Sequence, residues 1–315
     1  MSLDKKFEDL FLNVSIKAAL SSYHFVGKKD KIAADKSAVD AMRNKLNEIE
    51  MRGKVVIGEG ELDEAPMLYI GETLGTMSGP ELDIAVDPLE GTNFVANNQP
   101  GALSVIAVAE KSNLFSAPET YMNKISANVP SEGIIDLDYS VKKNISNLAD
   151  YKNKQPNELS ACILDRPRHK KIIEELRNLK VNLKLISDGD VSGALLVSDK
   201  KYNIDIFMGI GGGPEGVLAA SALDAFDCFF QGRFIFDNEN DVNRAKKMGI
   251  DDLNRKYLIN EIITGDSIFC ATGITNGDIV SGIKIEENNY ISETLITHKS
   301  TNLKKIIKSK NEIDE

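Results

Sequence analysis

Two short apolar runs in the first hundred residues each end in a cluster of acids, and that pairing narrows what the chain can fold into. Leu82 to Val86 is long enough for a buried strand. It is expected to stop at Asp87-Pro88, because proline has no backbone donor and a fixed φ. Asp87, Glu90, Gly91 and Thr92 follow at its carboxyl end. Val55-Val56-Ile57 is a second apolar strand core, and it runs into Gly58-Glu59-Gly60-Glu61-Leu62-Asp63-Glu64. Either stretch alone has the composition of a solvated turn. Side by side, they bring several carboxylates into a small volume, where they cannot all stay ionised unless a cation neutralises them. Hard divalent cations take carboxylate oxygens, and phosphate oxygens often complete the shell. Open α/β sheets hold their ligands at strand ends. The pair therefore points to a metal-dependent phosphoryl-transfer site on a βα sheet.

The rest of the chain supports an α/β reading. Residues 4–26 have the apolar spacing of a helix, with Phe7, Leu10, Phe11, Val14 and Ala18 on one face. A second helix is expected over about 36–50, with Asp35 at its N-cap. Ala102 to Ala109 is another strand, and Tyr121 falls in a short helix or turn. Residues 128–157 are polar and punctuated by Pro130, Gly133 and Pro156, which places a domain boundary there. Beyond it, strand and helix alternate, implying parallel βα units with right-handed crossovers. Polar residues collect after successive strands: Arg166-Pro167-Arg168, Asp188-Gly189-Asp190 and Gly211-Gly212-Gly213-Pro214-Glu215. A random scatter of surface charge would not choose the same end each time. Gly209 to Gly216 fails as a dinucleotide fingerprint, because Pro214 takes the last glycine position. It remains a glycine-rich loop before a proline-started helix, able to offer N–H groups to an oxyanion. The lysine-bearing tail, Lys299 to Lys310, reads as a solvated helix or frayed end.

Composition excludes several functions. A net charge of −10 argues against a nucleic-acid partner. It also means that an anionic substrate must be held by local cations. No apolar run reaches membrane-span length, and the first residues lack the apolar core of a secretory signal. The three cysteines form no CxxC, consistent with a reducing, cytoplasmic setting. The three histidines show no zinc-ligand spacing and lie outside every acidic cluster, which disfavours a histidine-base mechanism.

GEGELDEAPMLYIGE at 58–72, DPLEGT at 87–92 and GIGGGPEG at 209–216 together resemble the class II (GlpX-type) fructose-1,6-bisphosphatases. These form a branch of the lithium-sensitive, metal-dependent sugar phosphatases, whose signature Asp-Pro-x-(Asp/Glu)-Gly-Thr is matched at 87–92. The resemblance extends roughly from Ser15 to Ile296. It implies a layered sugar-phosphatase-type α/β fold with two sandwich-like halves: residues 1–157 metal-binding and catalytic, 158–315 sugar-phosphate-binding. It implies Asp35, Glu59, Asp87, Glu90 and Glu215 as ligands for Mn²⁺ or Mg²⁺. Asp63 and Thr92 resemble the pair that orients and deprotonates the attacking water, and Lys31 has a family role near the reacting phosphate. Substrate contacts are implied for Glu90, Gly91, Thr92, Tyr121, Arg166, Pro167, Arg168, Asp188, Gly189, Asp190 and Gly212. Arginine's planar fork suits the second phosphate of a bisphosphate, and Asp188 and Asp190 suit sugar hydroxyls.

The implied reaction removes the 1-phosphate of fructose 1,6-bisphosphate, a gluconeogenic step, in a homo-oligomer of two or four subunits. Alternatives are sedoheptulose 1,7-bisphosphate or an inositol phosphate as substrate, or a metal-dependent sugar-phosphate sensor without turnover. The Thr92–Asp63 pair counts against the sensor, since binding alone needs no water-activating dyad. The chain departs from the family between Arg233 and Met248, where it looks shorter.

Overall fold

The computed structural model describes residues 3–58, 67–116, 119–130 and 132–313. The chain divides into two compact units, one formed by Met1–Ser116 with Ile263–Glu315 and the other by Ala117–Ile262. The division expected at 157 thus falls inside the second unit. The reason is non-local pairing: the last strands return to the sheet begun by the first hundred residues.

In chain order, the first unit opens with α1 (Lys6–Tyr23), α2 (Lys31–Asn47), β1 (Arg52–Ile57), β2 (Thr73–Leu74), β3 (Glu81–Glu90), α3 (Thr92–Asn97) and β4 (Leu103–Glu110). The second unit begins with β5 (Tyr121–Ala127), α4 (Val141–Lys152), β6 (Ser160–Leu164), α5 (Lys170–Asn178), β7 (Asn182–Ile186) and α6 (Asp190–Leu195). It ends with β8 (Ile206–Gly212), α7 (Gly213–Ala225), β9 (Phe229–Ile235), α8 (Glu239–Lys247), β10 (Tyr257–Leu258) and α9 (Ile259–Ile262). The chain then rejoins the first unit with β11 (Ser267–Gly273), β12 (Lys284–Glu286), β13 (Asn289–His298) and β14 (Leu303–Glu312).

The sheet of the first unit runs β12-β13-β11-β4-β3-β1-β2, with β14 on β13. Alternation in β3 sends Leu82, Ile84 and Val86 into a core shared with α1 and α2. Pro88 does not end β3 as expected. Asp87 pairs with Val105 and Glu90 with Leu103, so the extra residue is absorbed in a register shift. The tail is also a strand rather than a helix. From Ile306 onward its residues alternate between outer and half-buried, and β14 pairs antiparallel with β13 over its whole length. Its lysines face outward, the usual guard on an edge strand.

A buried histidine fastens α1 to the end of β13. His298 Nδ1 lies 2.7 Å from Glu8 Oε1, and Nε2 lies 2.8 Å from Asp266 Oδ2. Burial alone would lower its pKa, but the hydrogen bonds to Asp266 and Glu8 prevail and raise it above 6.5. Burial likewise opposes ionisation of Asp266, yet His298 and Ser300 hold its pKa down at about 2. The raised His298 contributes stability that is complete below the unfolded value of 6.5 and is lost as pH rises through the folded value. Asp266 contributes stability that is complete above 3.8 and is lost as pH falls toward 2. His298→Leu leaves buried charge uncompensated, at a cost of about 3–5 kcal/mol. Urea denaturation across pH should show the gap from wild type widest near pH 5 to 6 and narrowing in the alkaline range. A gap constant up to pH 9 would contradict a charged His298.

The sheet of the second unit runs β10-β9-β5-β8-β6-β7. β6 is parallel to β7 and β8, as the alternating pattern predicts. β5 is antiparallel to both β8 and β9. Strands β8 and β9 therefore point the same way, joined through α7, with β5 inserted between them. Sequence alternation cannot reveal such an insertion, because β5 comes from far upstream. α4 and α5 pack with Ile125, Ile163 and Met208 in one core.

Candidate active site

Sequence-predicted residues fall into two groups, one in each unit. In the first unit, α2 begins at Lys31, earlier than expected, and its cap is Asp30, whose side chain accepts from Ala33 N at 2.9 Å. Asp35 is therefore not the N-cap; it sits inside the helix with its carboxylate released from capping. It is half-buried, and burial raises its pKa. Thr92 is not a cap either. Gly91 holds that position at φ +83°, a left-handed conformation natural to glycine. A Cβ there would come within 2.7 Å of Phe94. The Thr92 hydroxyl is thus not spent on the helix that follows. Lys31, Asp35 and Thr92 line one cavity of about 260 Å³, together with Ile32, Lys36, Val39 and Met67. Three residues picked from sequence are brought together there.

Asp87 and Glu90 flank the register shift in β3, Asp87 half-buried and Glu90 buried. Glu59 and Asp63 lie outside the described residues. The segment beyond them is anchored to α2, because Arg43 Nε donates to Glu72 Oε1 at 2.7 Å and a second guanidinium nitrogen reaches Oε2 at 3.2 Å. Among the described residues no three His, Cys, Asp or Glu side chains gather closely enough to hold an ion. The donors are nonetheless of the right kind. Asp35 and Glu215 are carboxylates that burial makes reluctant to ionise, and a divalent cation reverses that reluctance.

In the second unit the predicted gathering at strand ends is present. β6, β7 and β8 are parallel, so Arg166-Pro167-Arg168, Asp188-Gly189-Asp190 and Gly213-Pro214-Glu215 leave the same edge of the sheet. Tyr121 opens β5, not a helix or turn, and lies opposite Gly212 in register. The Arg168 guanidinium carbon is 5.0 Å from the Tyr121 ring centre, and its Nε donates to Ile210 O at 2.9 Å. Arg166 stands 3.6 Å from Asp188. Arg168 and Tyr121 are exposed, so both can meet an anion.

The glycine-rich stretch has a different cause from the one expected. Gly213 N–H is already donated to Thr120 O at 2.7 Å. A Cβ at Gly211 would lie 1.9 Å from Asp190 Oδ2, and one at Gly212 would lie 1.8 Å from Glu215 Oε2. These glycines make room for two carboxylates rather than only baring N–H groups. Glu215 sits in the first turn of α7. Desolvation pushes its pKa up, Lys124 opposes this, and Asp190 adds to it.

Two residues escaped sequence reading. His169 is buried, its Nδ1 2.7 Å from Leu164 O and its Nε2 accepting from Ile210 N at 2.7 Å. Burial lowers its pKa, so it is a neutral fastener holding the arginine turn against β8. Lys124 is the second, a charged residue in the interior of β5. Residues 122–127, Met-Asn-Lys-Ile-Ser-Ala, show no clean apolar alternation, so nothing local marks this lysine as buried.

A carboxylate and a hydroxyl sharing a cavity in the first unit, and an exposed arginine in the second, are each groups that a phosphoester hydrolase uses. The chain belongs to the family described as bacterial fructose-1,6-bisphosphatase, glpX-encoded, which it matches over residues 6–311. It is 40% identical over 310 residues to a D-fructose 1,6-bisphosphatase class 2/sedoheptulose 1,7-bisphosphatase of Trichodesmium erythraeum, covering 90% of each chain. A protein of the same description from Microcystis aeruginosa is 41% identical over 310 residues, again with 90% of each chain covered. The family consists of metal-dependent phosphatases. No helix among the described residues is long and apolar enough to cross a membrane.

Proposed function

We propose that the protein hydrolyses the 1-phosphate of fructose 1,6-bisphosphate, giving fructose 6-phosphate and inorganic phosphate, with Mn²⁺ or Mg²⁺ as cofactor. The observation that carries this reading is the cavity that gathers Lys31, Asp35 and Thr92 in a chain of this family. Asp35, Glu59, Asp87, Glu90 and Glu215 are the ligands. When bound, the cation supplies charge neutralisation for the phosphoryl oxygens and acidifies water. The Thr92 hydroxyl orients the attacking water and Asp63 takes its proton. Lys31 offers a positive charge to the phosphoryl group. Arg166 and Arg168, with Tyr121, hold the phosphate that is not cleaved. Asp188 and Asp190 receive sugar hydroxyls, with the backbone of Gly91, Pro167, Gly189 and Gly212 against the substrate. We further propose a cytoplasmic homo-oligomer.

The relatives' description also names sedoheptulose 1,7-bisphosphate, which makes it the second reading. Phosphate release from the two bisphosphates, compared as kcat/KM, decides between them. Release from fructose 1,6-bisphosphate at least as efficient as from the heptose supports the first reading. Release from the heptose alone overturns it.

The Arg168 assignment makes its own prediction. A charged hydrogen bond contributes about 1.5–3 kcal/mol, so Arg168→Ala should raise KM for the bisphosphate by roughly ten- to hundred-fold. Hydrolysis of a small monophosphate, with no second phosphate to hold, should hardly change. Equal losses on both substrates would sink the role.

A further inference from the structure

The sheet of the second unit carries a lysine where an apolar side chain would pack. Lys124 is 1% exposed, on the same face of β5 as Met122 and Ser126. Ser126 Oγ donates to Ala194 O, so this face of the strand looks toward α6. Burying an ammonium group is costly unless it is paired with an opposite charge and hydrogen-bonded. Lys124 Nζ finds two acceptors: Asp190 Oδ2 at the start of α6, and Gly212 O, 2.6 Å away, at the end of β8. One side chain thus ties together three elements that bear predicted binding residues. Gly211 is shaped to the same purpose, since any Cβ there would collide with the Asp190 carboxylate.

Asp190 is 7% exposed. Its Oδ1 is buried and meets no hydrogen-bond donor among the described residues. A buried carboxylate oxygen without a donor is destabilising, and a hydroxyl donated by a ligand removes that cost. We propose that Lys124 is a positioning residue for the sugar: it fixes Asp190 through Oδ2 so that Oδ1 stays oriented toward a substrate hydroxyl. The Gly212 carbonyl is the second anchor, keeping the lysine and the turn before Glu215 in register. This rests on the reading above, in which Asp190 contacts the sugar. Lys124 also lies near enough to Glu215 to favour its ionised form, so the decisive readout is binding measured in chelator, where no cation at Glu215 takes part.

The test uses the full chain and two probes: fructose 1,6-bisphosphate for kinetics, and fructose 6-phosphate for calorimetric binding to protein kept in chelator. Lys124→Met keeps the stem and removes the charge. KM and the fructose 6-phosphate Kd should rise together by roughly ten- to hundred-fold. Asp190→Asn should do the same. The double variant Lys124→Met with Asp190→Asn should be no worse than the poorer single variant, because both act through one carboxylate. The double variant also covers a folding failure of Lys124→Met, since removing both members of a buried pair is tolerated far better than removing one. Unchanged KM and Kd in whichever of these variants folds, whatever their melting temperatures, would overturn the proposal. So would a double variant whose loss is the product of the single losses. If wild type itself neither hydrolyses the bisphosphate nor binds fructose 6-phosphate, the proposed function fails and takes this inference with it. An active wild type with indifferent variants overturns the inference alone.

Discussion

Asp87→Asn should lower kcat for fructose 1,6-bisphosphate by roughly 10³-fold while leaving the fold intact. A cation at a phosphoryl centre contributes several kcal/mol of transition-state stabilisation, and each 1.36 kcal/mol is about a factor of ten. Asparagine keeps the size and the carbonyl oxygen of aspartate but not the charge. Asp87 pairs with Val105 just before the register shift, so backbone pairing through this region does not depend on its charge. In the cation-free protein, asparagine takes nearly the same space as aspartate, so the melting temperature should hold. Added Mn²⁺ should stabilise wild type by mass action more than the variant. A large drop in melting temperature without cation, with kcat near normal, would make Asp87 structural instead.

Thr92→Val should lower kcat by about 10²–10⁴, the usual contribution of a positioned acid–base group, with little change in KM. Loss of a helix-capping hydroxyl would instead cost roughly 0.5–2 kcal/mol of stability and leave kcat alone. The cap of α3 is Gly91, and no side-chain cap bond is made. Thr92 instead faces the cavity shared with Lys31 and Asp35. Its valine variant should therefore keep wild-type stability to within about 0.5 kcal/mol. Asp63→Ala should give a similar loss of kcat, and the double variant little more, because the pair acts as a unit. Losses that multiply would end the dyad. Near-normal kcat in Thr92→Val would return the threonine to an ordinary surface role.

What could be read in advance was local or periodic. The acid-ended strands needed only hydrophobic runs and turn chemistry, and β3, β6, β7 and β8 lie close to where those signals put them. The common edge carrying Arg166, Asp188 and Glu215 followed from the repeated order of strand and polar turn. What escaped depended on partners distant in sequence. Pro88 looks like a stop until β4 is present to accommodate the register shift. Leu303 to Glu312 is no clear strand by itself, because its lysines suit a solvated helix equally well. Ten registered pairs with β13 decide it. Lys124 looks like any surface lysine until β5 is placed between β8 and β9 and its side chain meets Asp190. Asp35 was misplaced by local reasoning alone, since Asp30 offered an equally good cap and took that position.

The most direct test of the central claim is inorganic phosphate release from fructose 1,6-bisphosphate by the purified protein, with excess chelator and then with Mn²⁺ restored. The account predicts no release in chelator and recovery on adding Mn²⁺. Full release in excess chelator, or none with Mn²⁺ or Mg²⁺ present, would contradict it.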